Sequence, residues 1–229
     1  MLQFVFMLTQ NDATVDDALA TYQRVRESGL RYVGFKDVGA STDELRRITD
    51  VAHADGLEVM LEVVSLALED ELRSIEAAVE IDVDWVLGGT HPAEGARALA
   101  GSGKRYCPFA GRVAGHPSVL HGTIVEIAES ARTTAAFDGV HGLDLLAYRH
   151  PTVDAPALVR EVVQASAALV IVAGSIASIQ QIRTLEATGA WGFTIGGAIF
   201  EGHLPGAPDV DRQVREVLSS LQEAGQPDP

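Results

Sequence analysis

Short apolar runs alternate with amphipathic stretches along the whole chain, in a repeat of roughly 25 to 30 residues. Each repeat begins with a β-branched or aromatic run, passes through a polar or glycine-containing turn, and ends in a stretch with helical periodicity. This alternation is typical of a parallel sheet covered by helices. Runs such as Leu169-Val170-Ile171-Val172-Ala173 contain no polar positions and therefore indicate strands buried on both faces.

Eight such repeats predict eight strands and eight helices. The strands are predicted at residues 4–8, 32–36, 58–63, 85–87, 105–108, 142–146, 169–173 and 192–195. The helices are predicted to begin near Thr14, Ser41, Leu68, Pro92, Gly122, Ala155, Ser178 and Asp209. Ser41 followed by Glu44 has the spacing of a helix capping box, which supports the start of the second helix.

Eight consecutive strand–helix units predict one α/β domain over residues 1–229, a (β/α)₈ TIM barrel with eight parallel strands inside a ring of helices. The length of 229 residues agrees with the ~250 typical of this fold. A doubly wound sheet is the alternative, but such sheets usually have about five or six strands. Residues 222–229 are predicted to be a frayed tail. The long connection at residues 110–120 is predicted to be a functional lid or a disordered loop.

Composition and charge exclude several classes of partner. The chain is 47% hydrophobic and 21% charged, as in ordinary globular proteins. Its formal net charge of −15, with no basic run, predicts no nucleic-acid partner, because a polyanion would be repelled. The absence of a leader-like start and of long apolar runs predicts no membrane partner. The single cysteine, Cys107, permits no internal disulfide and favours a cytoplasmic location.

Two glycine turns follow the seventh and eighth predicted strands, where barrel enzymes carry their active sites. They are Gly174-Ser175-Ile176 and Gly196-Gly197-Ala198, which we call the glycine cup. Glycine lets the backbone approach an anion closely, and the following N–H groups and a helix N-terminus would point at that anion. A single turn would more simply end a strand. Two in consecutive units predict a phosphate site.

The C-terminal quarter of the chain also resembles a known superfamily. The residues that carry the resemblance are Ile171-Val172-Ala173-Gly174-Ser175-Ile176, Ile182, Leu185, Gly189-Ala190 and Gly192-Phe193-Thr194-Ile195-Gly196-Gly197-Ala198-Ile199-Phe200. This segment resembles the ribulose-phosphate-binding barrel superfamily and is similar to the histidine-biosynthesis isomerase and N-acetylmannosamine-6-phosphate 2-epimerase families. The resemblance implies a small phosphorylated ligand. It does not select among the isomerisation, epimerisation, decarboxylation, ring-closure and aldol reactions of that superfamily.

Three charged residues within or at the ends of strands are candidate catalytic residues. Lys36, one of only two lysines, ends the second strand in Gly34-Phe35-Lys36-Asp37. An ammonium there is costly to bury, so it could form a Schiff base, act as a base or hold an anion. Glu62 and Asp144 interrupt otherwise apolar strands. Facing one cavity, the three would suit proton transfer next to a carbonyl, although each could instead have a structural role.

Four further residues are candidate substrate contacts. Asp37 follows Lys36 directly, and His91 follows the fourth strand. His91 could shuttle a proton or bind substrate, or it could be a surface residue at a helix start. Arg112 in the long connection and Arg149 after the sixth strand could close on an anionic group, and Arg149 suits a bidentate contact.

These residues support three hypotheses. The first is an enzyme that acts on a phosphorylated sugar or related carbonyl compound by isomerase- or epimerase-type proton transfer, with Lys36 stabilising the enolate oxygen. The second is a class I aldolase or lyase with Lys36 as the Schiff-base residue. The third is a non-catalytic barrel that binds a phosphometabolite. No cofactor is predicted, although Asp37, Glu62 and Asp144 could hold Mg²⁺. Homo-oligomerisation remains open.

Overall fold

The computed structural model describes residues 2–224. Its eight barrel strands are β1 (Gln3–Met7), β2 (Tyr32–Lys36), β3 (Glu58–Val63), β4 (Trp85–Gly88), β5 (Arg105–Cys107), β6 (Gly142–Leu145), β7 (Leu169–Val172) and β8 (Gly192–Ile195). The main helices are α1 (Ala18–Val25), α2 (Thr42–Ala54), α3 (Leu68–Glu80), α4 (Pro92–Ala98), α5 (Ile124–Ala135), α6 (Ala155–Ser166), α7 (Ile179–Glu186) and α8 (Val210–Ala224). A short helix, Gly197–Phe200, lies between α7 and α8. Within residues 2–224, no helix has the length and apolar character needed to cross a bilayer.

The eight strands form one parallel sheet in the order β6-β7-β8-β1-β2-β3-β4-β5. Its two outer strands are joined by backbone hydrogen bonds: the Asp144 N–H donates to the Pro108 carbonyl at 2.9 Å, and the Ala110 N–H donates to the Asp144 carbonyl at 2.9 Å. The sheet therefore curls into a barrel. The predicted (β/α)₈ fold is confirmed, and the doubly wound alternative is excluded.

Successive strand residues point alternately into the barrel and toward the helices, so both faces of each strand are buried. The inward residues form a separate apolar cluster of Val5, Met7, Tyr32, Met60, Trp85, Leu87, Cys107 and Ile171. Their neighbours, such as Phe6, Val33 and Leu61, belong to the larger cluster under the helices. This double burial explains why the strands appear in the sequence as continuous apolar runs.

Aromatic side chains fill the end of the barrel where the strands begin. The Trp85 and Trp191 ring centroids are 5.2 Å apart, and Tyr32 meets Trp191 edge-on at 5.4 Å. The indole N–H of Trp85 is hydrogen-bonded as well, because Trp85 Nε1 donates to Glu58 at 2.6 Å. The Arg105 guanidinium lies 4.5 Å from the Trp85 ring centroid. This packing closes one end of the barrel and leaves the opposite mouth for a site.

Two small hairpins lie outside the barrel sheet. In the first hairpin, Thr9–Gln10 pairs with Ala13–Thr14, which delays the start of α1 from the predicted Thr14 to Ala18. In the second hairpin, Arg112–Ala114 pairs with Val119–His121, so the connection at residues 110–120 is an ordered hairpin. At the C-terminus, α8 extends to Ala224, and residues 225–229 of the predicted frayed tail lie outside the described residues.

Glu71 of α3 holds the loop that follows β4 in place through hydrogen bonds. Its fully buried carboxylate accepts hydrogen bonds from the backbone N–H of Thr90 at 2.8 Å and of His91 at 3.2 Å. His91 Nδ1 lies 2.8 Å from the same carboxylate. Gly89 adopts φ +81°, and a Cβ there would lie 2.5 Å from Glu71 Oε1. The loop therefore needs both the glycine and the carboxylate.

We predict that Glu71→Ala lowers the free energy of unfolding by roughly 2–4 kcal/mol, because two part-buried backbone N–H groups lose their acceptor and a fully buried side chain is removed. Urea denaturation measures the loss. Glu69→Ala on the same helix is the matched control, since the Glu69 side chain is 91% exposed, and it should change stability by less than about 0.5 kcal/mol. Equal effects of the two substitutions would contradict the role assigned to Glu71.

Candidate functional site

A cavity of about 570 Å³ opens where the strands end, at the mouth opposite the aromatic cluster. Its wall combines the first hairpin, the ends of β2 and β3, the tip of the second hairpin, the turn after β6 and the loops after β7 and β8. Predicted site residues in this wall are Lys36, Glu62, Arg149 and the two turns of the glycine cup. The active-site end of (β/α)₈ barrels is therefore where this chain has its candidate site.

Lys36 and Glu62 form a buried ion pair in this wall. The parallel register of β2 and β3 places the two residues opposite each other, so that both side chains point into the barrel. Lys36 Nζ lies 3.3 Å from Glu62 Oε1 and also donates a hydrogen bond to Asp12 Oδ1. Each of the three residues is at most 5% exposed. A lysine can stay buried here because two carboxylates surround its ammonium.

Asp12 is the main site residue that sequence reasoning missed. Besides Lys36, its carboxylate accepts hydrogen bonds from the Arg149 guanidinium at 2.8 Å and from the Ser118 backbone N–H at 3.1 Å. These contacts join the first hairpin, β2, the turn after β6 and the second hairpin. Asn11-Asp12 was a weak signal of a left-handed turn, because these two residue types tolerate positive φ. Nothing in the sequence indicated the partners.

Opposite charges fix the ionisation of this cluster. Burial alone would raise the pKa of Asp12, but the positive charges of Lys36 and Arg149 and the Ser118 N–H lower it to about 2. Burial alone would lower the pKa of Lys36, but the negative charges of Glu62 and Asp12 raise it above its ordinary value. Near neutral pH, Asp12 is therefore an anion and Lys36 a cation.

Asp144 does not lie in the cavity wall, contrary to the sequence prediction that it shares a cavity with Lys36 and Glu62. The residue is fully buried, and neither carboxylate oxygen has a hydrogen-bond partner among the described residues. Burial raises the pKa of Asp144 well above its ordinary value, and the negative charge of Glu62 raises it further. Lys36 opposes this shift without reversing it. The surroundings of Asp144 therefore favour its protonated form.

Packing accounts for two glycines of the cup. Gly174 adopts φ +76°, and a Cβ there would lie 2.4 Å from Arg149 Nε, so the glycine gives the arginine room beside the loop. A Cβ at Gly196 would lie 2.5 Å from Thr9 Oγ1. The nearest atom to a Cβ at Gly197 is Glu201 Oε1, at 3.6 Å, so this position has free space beside the cavity.

The cup also offers hydrogen-bond donors. Among residues 2–224, the backbone N–H groups of Ser175 and Ile176 have no acceptor, and both residues line the cavity. The first turn of the short helix that begins at Gly197 leaves N–H groups without helical partners as well. Glu201 lines the same wall, and its negative charge opposes an anionic ligand. The Glu201 carboxylate lies 3.5 Å from His203 Nε2. The cup is therefore built from local donors and not from net positive charge.

Three predicted substrate contacts lie outside the cavity. Asp37 Oδ1 accepts from the Val64 N–H at 3.0 Å, and Asp37 Oδ2 accepts from the Ser65 and Ser74 hydroxyls at 3.0 and 2.7 Å. Asp37 thus fastens the loop after β3. His91 contacts Glu71, and Arg112 is exposed on the second hairpin. Asp37 lies outside the cavity because side chains alternate along a strand, so the residue next to the inward Lys36 points outward.

The structure does not assemble the carboxylate set considered for Mg²⁺. Asp37 points away from the barrel interior toward α3, whereas Glu62 and Asp144 point inward. In the described part of the chain, no group of three or more His, Cys, Asp or Glu side chains could hold a metal ion.

Comparison with known proteins supports the fold. No family model and no curated protein match this chain. A native KDPGal structure is similar over 97% of this chain and 95% of that chain, with TM-score 0.67 and 16% identity. Monomers of the dimeric phosphoribosylanthranilate isomerase from Thermotoga maritima are similar over 97% and 100%, with TM-score 0.66 and 15% identity. A cube-shaped designed cage of fused symmetric oligomeric domains is similar over 97% and 73%, with TM-score 0.68 and 16% identity. At such identities the likeness establishes the barrel fold alone.

Proposed function

We propose that this chain is an enzyme that moves a proton at a carbon next to the carbonyl of a small phosphorylated sugar or related compound. The observation that carries the proposal is the buried pair of Lys36 and Glu62, 3.3 Å apart in the cavity wall. A carboxylate removes such a proton, and a neighbouring cation stabilises the negative oxygen that forms. The pair supplies both groups at one place.

Glu62 is the proton acceptor in this proposal. Asp12 is a poor base, because its pKa is about 2 and its oxygens already accept three hydrogen bonds. Asp144 does not line the cavity. Among the described residues, Glu62 has no ion-pair partner besides Lys36, so its carboxylate has lone pairs left for a substrate.

Asp144 acts through Glu62 and not on the substrate. Burial raises the pKa of Asp144, and the negative charge of Glu62 raises it further. The same interaction disfavours a second negative charge behind the Lys36–Glu62 ion pair. Asp144 is therefore a tuning residue of the proposed reaction.

The phosphate of the substrate would bind between Arg149 and the glycine cup. One terminal nitrogen of Arg149 is used by Asp12 and the Ser118 carbonyl, at 2.8 and 3.3 Å. Nε and the other terminal nitrogen have no acceptor within residues 2–224, and Nε lies beside Gly174. With the free N–H groups of Ser175 and Ile176, they offer an anion several short-range donors.

The ionisation of Lys36 weighs against the Schiff-base alternative. A Schiff base forms from a neutral amine, whereas Asp12 and Glu62 raise the pKa of Lys36 and keep it protonated. The non-catalytic alternative does not explain why Asp12, Lys36 and Glu62 form a buried charged cluster. Burying three ionised groups is costly, and a binding site for phosphate needs only the cup and Arg149.

We predict that the wild-type protein exchanges a carbon-bound proton of triose, pentose or hexose phosphates for deuterium in D₂O. Proton NMR follows the loss of the signal. Lys36→Met and Glu62→Gln should each slow exchange by at least about 100-fold, because each removes one of the two catalytic groups. Lys104→Met replaces the other lysine, which pairs with Asp82 outside the cavity, and should keep the wild-type rate.

Three outcomes would contradict this proposal. They are the absence of exchange with every compound, wild-type exchange by Glu62→Gln, and a borohydride-trapped adduct on Lys36. The adduct, detected by mass spectrometry with unphosphorylated and phosphorylated ketones, would favour the aldolase instead.

We further predict that Arg149→Ala weakens the binding of inorganic phosphate roughly tenfold or more, because it removes charge-assisted hydrogen bonds. Isothermal titration calorimetry measures the affinity. Arg112→Ala removes the same charge from a position outside the cavity and should leave the affinity unchanged. Equal losses in the two variants would show that only the net charge matters and would remove Arg149 from the anchor.

The buried acid makes stability depend on pH. Because the folded-state pKa of Asp144 is raised, its contribution is most favourable below the unfolded pKa of about 3.9 and declines as pH rises toward the folded pKa. Asp144→Asn lacks this decline. The stability of Asp144→Asn relative to wild type should thus grow by up to about 1.4 kcal/mol per pH unit between about pH 4 and the raised folded-state pKa of Asp144. Urea denaturation across pH tests this, with the exposed Asp138→Asn as control, and a constant difference would contradict it.

A further inference from the structure

Asp12 occupies an unfavourable turn position. In the first hairpin Gln10 pairs with Ala13, so Asn11 and Asp12 form a two-residue turn, and their φ angles are +51° and +64°. Turns of this shape favour glycine at the second position. A non-glycine residue with positive φ costs about 1 kcal/mol or more. This conformation brings the Asp12 carboxylate into the barrel mouth, where the Asp12 side chain is fully buried.

The tip of the second hairpin, residues 115–118, is held to the site through that carboxylate. The base of the hairpin is packed on the core by Val113 and Leu120. At the tip, the Ser118 N–H donates to Asp12 Oδ2 at 3.1 Å, and the Ser118 carbonyl accepts from Arg149 at 3.3 Å. A two-stranded hairpin has little stability of its own, so such contacts decide whether its tip is docked.

We propose that Asp12 is a positioning residue that latches the tip of the second hairpin over the cavity and at the same time holds the Lys36 ammonium in place. Pro117 and Ser118 of the tip line the cavity, so the latched tip forms part of the wall. One carboxylate thus connects the cover of the site to its cation. The inference goes beyond the proposed function, because it assigns the two roles whatever compound the cavity binds.

The Lys36 ammonium is a direct reporter of this role. The chain has only two lysines, so selective ¹³C-lysine labelling gives two Cε signals that can be followed during a pH titration. Lys36 faces Asp12 and Glu62, which raise its pKa, and Arg149, which lowers it. Lys104, paired with Asp82, serves as an internal reference.

We predict that Asp12→Asn lowers the pKa of Lys36 by at least about one pH unit and speeds amide hydrogen exchange at residues 115–119 at least about tenfold. Asparagine tolerates the same positive φ and has nearly the same shape, so a purely structural turn residue would change neither. Ser118→Ala is the matched control and should behave as wild type, because only the backbone of Ser118 contacts Asp12 and Arg149.

Arg149→Gln separates the two roles and serves if Asp12→Asn does not fold. It removes the contact to the Ser118 carbonyl, so exchange at the tip should rise, but the loss of a positive charge should not lower the pKa of Lys36. A wild-type pKa of Lys36 or wild-type exchange at the tip in Asp12→Asn would overturn the proposal. So would a lowered pKa of Lys36 in Arg149→Gln. Neither readout needs a substrate, so the result is independent of the deuterium-exchange experiment.

Discussion

The candidate site depends on one buried ammonium. Lys36 lies at the end of β2 inside the barrel, and without partners it would lose its proton or leave the interior. Asp12 and Glu62 prevent both, because their charges offset the cost of burial and raise the pKa of Lys36. Arg149 and the Ser118 backbone N–H both donate hydrogen bonds to Asp12, the carboxylate that holds the lysine.

The barrel interior is apolar and aromatic at one end and carries charged side chains at the other. Near the strand beginnings, tryptophan and tyrosine rings pack against one another. Toward the strand ends, the buried charged residues Lys36 and Glu62 and the fully buried Asp144 occupy inward positions. A fully buried acid without a hydrogen-bond partner reduces stability, and such a group is expected where a protein sacrifices stability for function.

The local chemistry of the mouth also explains how a strongly acidic chain could bind an anion. The formal net charge of −15 and the carboxylate of Glu201 both oppose an anionic ligand at a distance. Hydrogen bonds act over a few ångströms, however, and the free N–H groups of the glycine cup beside Arg149 lie at that range. Selectivity in such a site would rest on shape and donor placement more than on electrostatic attraction.

The sequence by itself determined the barrel, its strand positions and the places of Lys36 and Glu62 within their strands. These features follow from local periodicity, because eight apolar runs must be buried on both faces and parallel strands end at the same mouth. Asp37 could also have been assigned outward by strand alternation. Only the tertiary structure decided the contacts of Asp12 and Arg149 and the burial of Asp144. The ion pairs of Asp12 join residues 24 and 137 positions apart, and the burial of Asp144 depends on the side chains of neighbouring strands. No local pattern encodes such contacts, because they arise only when the barrel closes.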